Sequence, residues 1–172
     1  MRRVGARVER EGAELDVSFV LEGDLSALAI PAPGATRPGE RLWEHTCFEV
    51  FVAAGGTTAY HELNVAPSGA WQAHAFTRYR EGGPLADDTT APRIAVERDA
   101  ARLTVAVRVA IGRWSPAYAT AGLRVGVAAV VEDTRGGLSY WAVLHPPGRP
   151  DFHHRDGFAV AVPEAASGSA VR

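Results

Sequence analysis

Alternation with a period of two recurs along the chain, and helical periodicity hardly appears. Residues 14–22 set Leu15, Val17, Phe19 and Leu21 against smaller or polar neighbours. Residues 46–53 place Phe48, Val50 and Val52 on one face and Cys47, Glu49 and Phe51 on the other. Residues 60–66 alternate Leu63 and Val65 with Glu62 and Asn64, and Pro67-Ser68-Gly69 then signals a turn into a strand over 71–78. This pair reads as a hairpin. A short strand fits 93–97, and Leu103, Val105, Val107 and Val109 form the cleanest apolar stripe of the chain. Alternation returns over 123–131, 139–144 and 158–162, with one broken helical turn predicted between 112 and 120.

Roughly nine or ten short strands separated by Gly/Pro turns predict an all-β fold. The expected architecture is an antiparallel β-sandwich of jelly-roll or immunoglobulin-like type with short helical turns. One domain is expected over residues 1–163, followed by a flexible tail over 164–172. Residues 32–40 and 82–91 are poor in large apolar residues and read as long loops.

Composition narrows the chemistry. All 18 fixed cations are arginines, and there is one cysteine, Cys47, and one methionine, Met1. Without lysine, Schiff-base catalysis and a P-loop are excluded. With one cysteine, an internal disulfide and a multi-thiolate zinc site are excluded. A net charge of −2 gives no support to nucleic-acid or membrane binding. The start shows no export signal and no spanning apolar run, so a cytoplasmic protein is expected.

Glu49, Glu62, Asn64 and Arg108 lie at strand positions opposite the apolar stripe, and Gln72, Arg124 and Glu132 can join them. In a sandwich such faces are usually solvent faces. Here they also carry Phe51, Tyr60 and, depending on register, Trp71 or Phe76. Aromatics mixed with acids, amides and arginine suit a sugar, whose C–H faces stack on rings and whose hydroxyls pair with polar groups. Trp43 ends the first long loop and would cap such a groove. Six histidines, His45, His61, His74, His145, His153 and His154, offer haem or a divalent metal as an alternative, with His145, Asp151, His153 and His154 as the candidate ligands. Cys47 reads as a buried thiol, and Ser68 as a turn residue. Glu49 and Glu62 could also act as an acid pair on a sugar.

The run Arg41-Leu42-Trp43-Glu44-His45-Thr46-Cys47-Phe48-Glu49-Val50-Phe51, the block from Tyr60 to Trp71, Tyr140-Trp141-Ala142-Val143-Leu144-His145-Pro146-Pro147-Gly148 and Pro150-Asp151-Phe152-His153-His154 together resemble the small bacterial DOMON-like proteins. These are similar to family 9 carbohydrate-binding modules. The resemblance covers roughly residues 5–162. It implies a β-sandwich holding a sugar between two tryptophans, with acid, amide and arginine partners. Carried over, Trp43 matches the first tryptophan and Glu49 the acid six residues later. Asn64 and Gln72 stand in the amide positions, and Trp141 is the candidate second tryptophan. The haem-binding cousins use Met and His, and the absence of an internal methionine argues against that branch. The expected function is therefore non-catalytic binding of a small-molecule or glycan ligand by Trp43, Glu49, Glu62, Asn64, Gln72, Arg108 and Trp141. No cofactor is expected, and homo-oligomerisation stays open.

Overall fold

Alternating apolar side chains can all be buried only if two sheets stack face to face, and that is how the chain folds. The structure, a computed structural model, describes residues 3–85 and 90–165. Twelve strands are formed: β1 (Arg3–Glu11), β2 (Glu14–Glu22), β3 (Arg37–Pro38), β4 (Cys47–Ala54), β5 (Tyr60–Val65), β6 (Ala70–Arg78), β7 (Glu81–Pro84), β8 (Arg93–Arg98), β9 (Arg102–Val109), β10 (Leu123–Glu132), β11 (Leu138–Ala142) and β12 (Val160–Val162). The smaller sheet runs β1-β2-β9-β8. The larger runs β11-β10-β4-β5-β6-β3, with β12 on β10 and β7 on β6. Every pairing is antiparallel except β3 with β6.

The predicted stripes meet between the sheets. Leu15, Val17, Phe19 and Leu21 of β2, with Leu103, Val105, Val107 and Val109 of β9, face Phe48, Val50, Val52, Leu63 and Val65 of the larger sheet. Phe19 and Phe48 touch across the layers with ring centroids 5.0 Å apart. Each such fully buried side chain contributes about 1.5–3 kcal/mol. Among the described residues the helical content is confined to short 3-10 turns such as Ile111–Arg113 and Pro116–Ala119.

Three strands differ from the sequence reading. β1 was not foreseen, because its Val4 and Val8 are only partly buried at the sheet edge. β3 forms inside the expected loop over 32–40, and β7 forms at the start of the expected loop over 82–91. Both follow backbone partners on β6 rather than side-chain patterning. Residues 86–89 of the second loop, and 166–172 of the expected tail, lie outside the described residues. The chain is still hydrogen-bonded at Ala165, whose N–H donates to the Thr120 carbonyl at 3.2 Å. Among the described residues no helix is long and apolar enough to cross a membrane.

Candidate functional site

β4 is buried at all eight positions, so the outward face of the larger sheet is not a plain solvent face at its centre. Strand register explains what stands there. Ala128, Glu49, Asn64 and Gln72 form one cross-strand row over β10, β4, β5 and β6, and Gly126, Phe51, Glu62 and His74 form the next. Tyr140 of β11 sits opposite Val130 on the same face. One end of this face is roofed by the segment after β11. Its Phe158 stacks on Phe51 at 5.5 Å, and Gly126 has no side chain where Phe158 approaches. Phe51, Tyr60 and Phe158 thus make a second, smaller core outside the sandwich.

At the other end the face opens into a cavity of about 440 Å³ lined by Trp43, Glu49, Glu62, His74, Phe76, Arg80, Val130, Tyr140, Pro150, Phe152 and His153. That size lies within the roughly 300–1,000 Å³ of small-molecule sites. Trp43 is 41% exposed and Tyr140 45%, so both aromatic planes stand at the rim instead of filling the core.

Each wall is positioned by identifiable contacts. Residues 32–40 cross the hairpin turn so closely that a side chain at Gly69 would lie 2.8 Å from the Gly34 carbonyl. The backbone then locks through Arg37 N–H to Gly69 O at 3.1 Å and Gly39 N–H to Trp71 O at 2.8 Å. Arg41 turns in the left-handed region at φ 51°, and the 3-10 turn Leu42–Glu44 presents Trp43, whose ring centroid lies 6.0 Å from that of His74. On the far side Asp151 ties down the Pro-rich segment. It accepts from the Tyr79 hydroxyl at 2.7 Å, from the Arg80 guanidinium at 2.9 Å and from the His153 N–H at 3.1 Å.

The cavity holds an unusual charge balance. Glu49 is 4% exposed and Glu62 5%. Burial, together with the charge of Glu62, pushes the Glu49 carboxyl up to about 8, against the opposing pull of Arg80. Burial also raises Glu62, to about 6, while the Asn64 amide and Arg80 act to lower it. The Asn64 amide donates to Glu62 at 2.6 Å. At neutral pH the two acids therefore share one proton, held mainly on Glu49. Burial and the Arg80 charge push the His153 ring down to about 4, and burial lowers His74 as well, so both rings are neutral. Among the described residues His74 Nδ1 and Gln72 Oε1 are buried without a hydrogen-bond partner. Buried polar atoms without partners are uncommon and point to a partner supplied from outside.

Trp43, Glu49 and Glu62 thus line one concavity. Asn64 is fully buried behind Glu62 and supports it, and Gln72 is the cross-strand neighbour of Asn64. Arg108 and Trp141 are corrections. Arg108 sits on the outer face of the smaller sheet, paired with Glu11 at 2.8 Å and with Glu14 and Asp16. Its polarity against the stripe was read correctly, but β9 belongs to the other sheet. Trp141 has the parity of Ala129 and packs against the inner core, so its neighbour Tyr140 is the aromatic that reaches the cavity. Of the outlying candidates, Glu132 pairs with His45 at 2.8 Å and Arg124 faces Ala53 and Ala161 at the distant end of β10.

The proposed metal ligands do not converge. Among the described residues no three His, Cys, Asp or Glu groups come together as a metal site. Asp151 is engaged by Tyr79 and Arg80, and His154 caps the turn Arg155–Gly157 through the Asp156 N–H. His145 lies beside the Phe152 ring. His61 is held by Tyr118 at 2.9 Å on the inner side. Cys47 is a buried thiol, its ionisation pushed well up by burial and by the Glu49 charge. Arg80, Tyr140 and Phe152 were missed. Of the two aromatics that the register left open, Phe76 shares the parity of Gln72 and His74 and lines the cavity, while Trp71 packs in the inner core. Arg80 projects from a turn with φ 56°, where no periodicity applies.

No family model and no curated protein matches the chain. Among solved structures it is similar to one from Bacteroides uniformis ATCC 8492 whose printed name is "putative carbohydrate-binding protein". The two are 15% identical, with a TM-score of 0.64, over 89% of this chain and 74% of that one. At that identity the shared property is the all-β fold.

Proposed function

We propose that this protein binds a carbohydrate or carbohydrate-like small ligand without transforming it, in the cavity on the outer face of the larger sheet. The observation that carries the reading is the meeting, in one concavity, of the rim aromatics Trp43 and Tyr140 with the buried carboxyls Glu49 and Glu62. Rings cover the apolar face of a sugar, and carboxyls accept from its hydroxyls. The fold likeness to a protein named for carbohydrate binding supports it, and the resemblance of the Trp43 and Tyr140 blocks to DOMON-like proteins agrees with it. Calorimetric titration with a panel of mono- and oligosaccharides tests it. Binding that is lost in Trp43→Ala is expected. Absence of binding across the panel, or binding indifferent to Trp43→Ala, overturns it.

One observation favours a second reading, enzymatic action on a sugar: Glu49 and Glu62 share a face and one cavity, with different ionisation ranges. Turnover of aryl glycosides that disappears in both Glu49→Gln and Glu62→Gln would establish it, and inactivity across the series removes it.

A further inference from the structure

The two carboxyls lack a cation of their own. Glu62 receives the Asn64 amide at 2.6 Å and has His153 Nε2 at 3.7 Å. Glu49 has no hydrogen bond or ion pair among the described residues. The cation in the cavity wall, Arg80, is held by Asp151 at 2.9 Å and by the Tyr79 hydroxyl at 3.2 Å. Its field reaches both acids but leaves each of them raised. His74 and His153 face the acids from β6 and from the Pro-rich segment, and both are neutral at physiological pH. Cys47, on the strand of Glu49, is a thiol, and β10 sets Gly126, Ala128 and Val130 beside the acids on this face, with Arg124 at its distant end and Glu132 paired with His45. Two buried acids therefore face a cavity whose one positive group is already shared with a third.

Burying carboxylates without a partner is costly, and the pair meets the cost by retaining a proton. A ligand cation would replace that proton. The surroundings suit one: Trp43, Phe76, Tyr140 and Phe152 present ring systems to the same space, and rings attract cations through their π faces. A second observation is independent of the acids. His74 is only 7% exposed, lines the cavity and keeps its Nδ1 unpartnered.

We propose that the ligand of this cavity carries an ammonium group that seats against Glu49 and Glu62, making it an amine-bearing sugar or a comparable hydroxylated amine in place of a neutral saccharide. The proposal rests on the binding reading above and narrows its ligand class. On binding, the ammonium pairs with both carboxylates, and the proton held by Glu49 leaves to solvent.

The test uses the full chain and matched saccharides: glucosamine, galactosamine, mannosamine and free-amine oligosaccharides, each beside its N-acetyl derivative and its neutral parent. Calorimetry at neutral pH, in buffers of different protonation heat, reads affinity and proton release together. The expected result is roughly tenfold to a hundredfold tighter binding of at least one free-amine form over its two counterparts, with proton release to the buffer. Glu49→Gln, checked for retained fold by circular dichroism, is expected to lose both the preference and the proton release. If the N-acetyl or neutral forms bind as well or better, the ammonium proposal falls while carbohydrate binding stands. If no member of the panel binds, both fall.

Discussion

Tyr60 donates its hydroxyl hydrogen to Nδ1 of His153, 2.8 Å away. The direction follows from the other bond at the same oxygen, which accepts the Arg80 backbone N–H at 3.0 Å. A phenol oxygen can accept twice, but its own hydrogen would then have no partner among the described residues, so donation to Nδ1 is the arrangement that satisfies all three groups. His153 is therefore the Nε2–H tautomer, and Nε2 is the ring atom 3.7 Å from Glu62. One hydroxyl in the outer aromatic cluster thus sets which nitrogen faces the acids.

The first prediction concerns that bond. Histidine ring nitrogen NMR should show His153 with its hydrogen on Nε2 at neutral pH. Tyr60→Phe keeps the ring stack with Phe76, whose centroid is 4.7 Å away, but leaves two partly buried partners unmatched. A loss of about 1–3 kcal/mol is expected, read as a lower urea midpoint at unchanged slope. An Nδ1–H tautomer in the native protein, or a stability unchanged by Tyr60→Phe, would contradict the assignment.

The second concerns pH. Glu49 titrates near 8 when folded, well above its unfolded range, so between those values the native state binds more protons than the unfolded one. Stability from this group is complete at low pH and is lost as pH rises through about 8. Glu62 acts likewise up to about 6. His61 and His153, pushed down to about 4 by burial, act in the opposite sense, adding stability as pH rises toward the unfolded histidine value. The opposing groups largely cancel below about pH 6.5, and above it Glu49 acts alone among them. Denaturation between about pH 6.5 and 8, below the range where the raised Cys47 thiol adds its own fall, should therefore show falling stability, by up to about 1.4 kcal/mol per pH unit. Glu49→Gln should flatten that limb. A wild-type profile that is level or rising there would show that Glu49 is not held protonated.

Most of the sandwich is written in the chain because burial of one face imposes a period of two. β2, β4, β5, β9 and β10 appear as stripes for that reason, and the parity and pairing of β4 and β5 bring Glu49, Asn64 and Glu62 together. What parity cannot say is which sheet a strand joins. Arg108 has the same local pattern as Glu49, yet β9 pairs with β2 and carries it to the other layer. Trp141 was taken as the second tryptophan that the resemblance implies, and a strand as short as β11 gives too few alternations to show that Tyr140 is the residue on the cavity face. Arg80 and the roof formed by Phe152 and Phe158 depend on tertiary contacts across a turn and a Pro-rich segment, and no local pattern encodes those. His74 and His153 were visible as histidines, but only the fold shows that they face the acids.

The third prediction separates the two tryptophans. Trp43 is largely exposed and fixed by a backbone turn, so Trp43→Ala should change stability by no more than about 0.5 kcal/mol while weakening ligand binding roughly tenfold or more. Trp141 packs on the inner core near Phe19 and lines no part of the cavity. Trp141→Ala should cost about 3 kcal/mol and leave affinity unchanged in the folded fraction. Denaturant titration beside calorimetry of both variants reads the contrast. Equal effects on stability, or a binding loss confined to Trp141→Ala, would reverse their assignment.

The last prediction tests whether the roof shapes the cavity. Gly126 lies in the middle of β10 beneath Phe158. A Cβ placed there would stand 3.0 Å from the Phe158 ring and 3.3 Å from both the Gly157 carbonyl and the Phe51 Cβ. Its backbone is ordinary strand, so the requirement for glycine is steric. Gly126→Val adds two methyls to a contact that has no room for the first carbon. Two of the three obstructing groups belong to the roof, and Phe51 belongs to the sheet, so the roof is the part able to give. Lifting Phe158 would also disturb Tyr60, whose ring meets it at 5.5 Å, and through Tyr60 the His153 ring beside Glu62. Overpacking of this kind costs about 1–3 kcal/mol, so the variant should remain folded with a lower midpoint. Ligand affinity should fall as well, although position 126 does not line the cavity. Arg108→Ala, on the opposite layer, is the control, with affinity expected to stay at the wild-type value. A Gly126→Val protein that loses stability but binds normally would show that the roof covers the outer core without shaping the site.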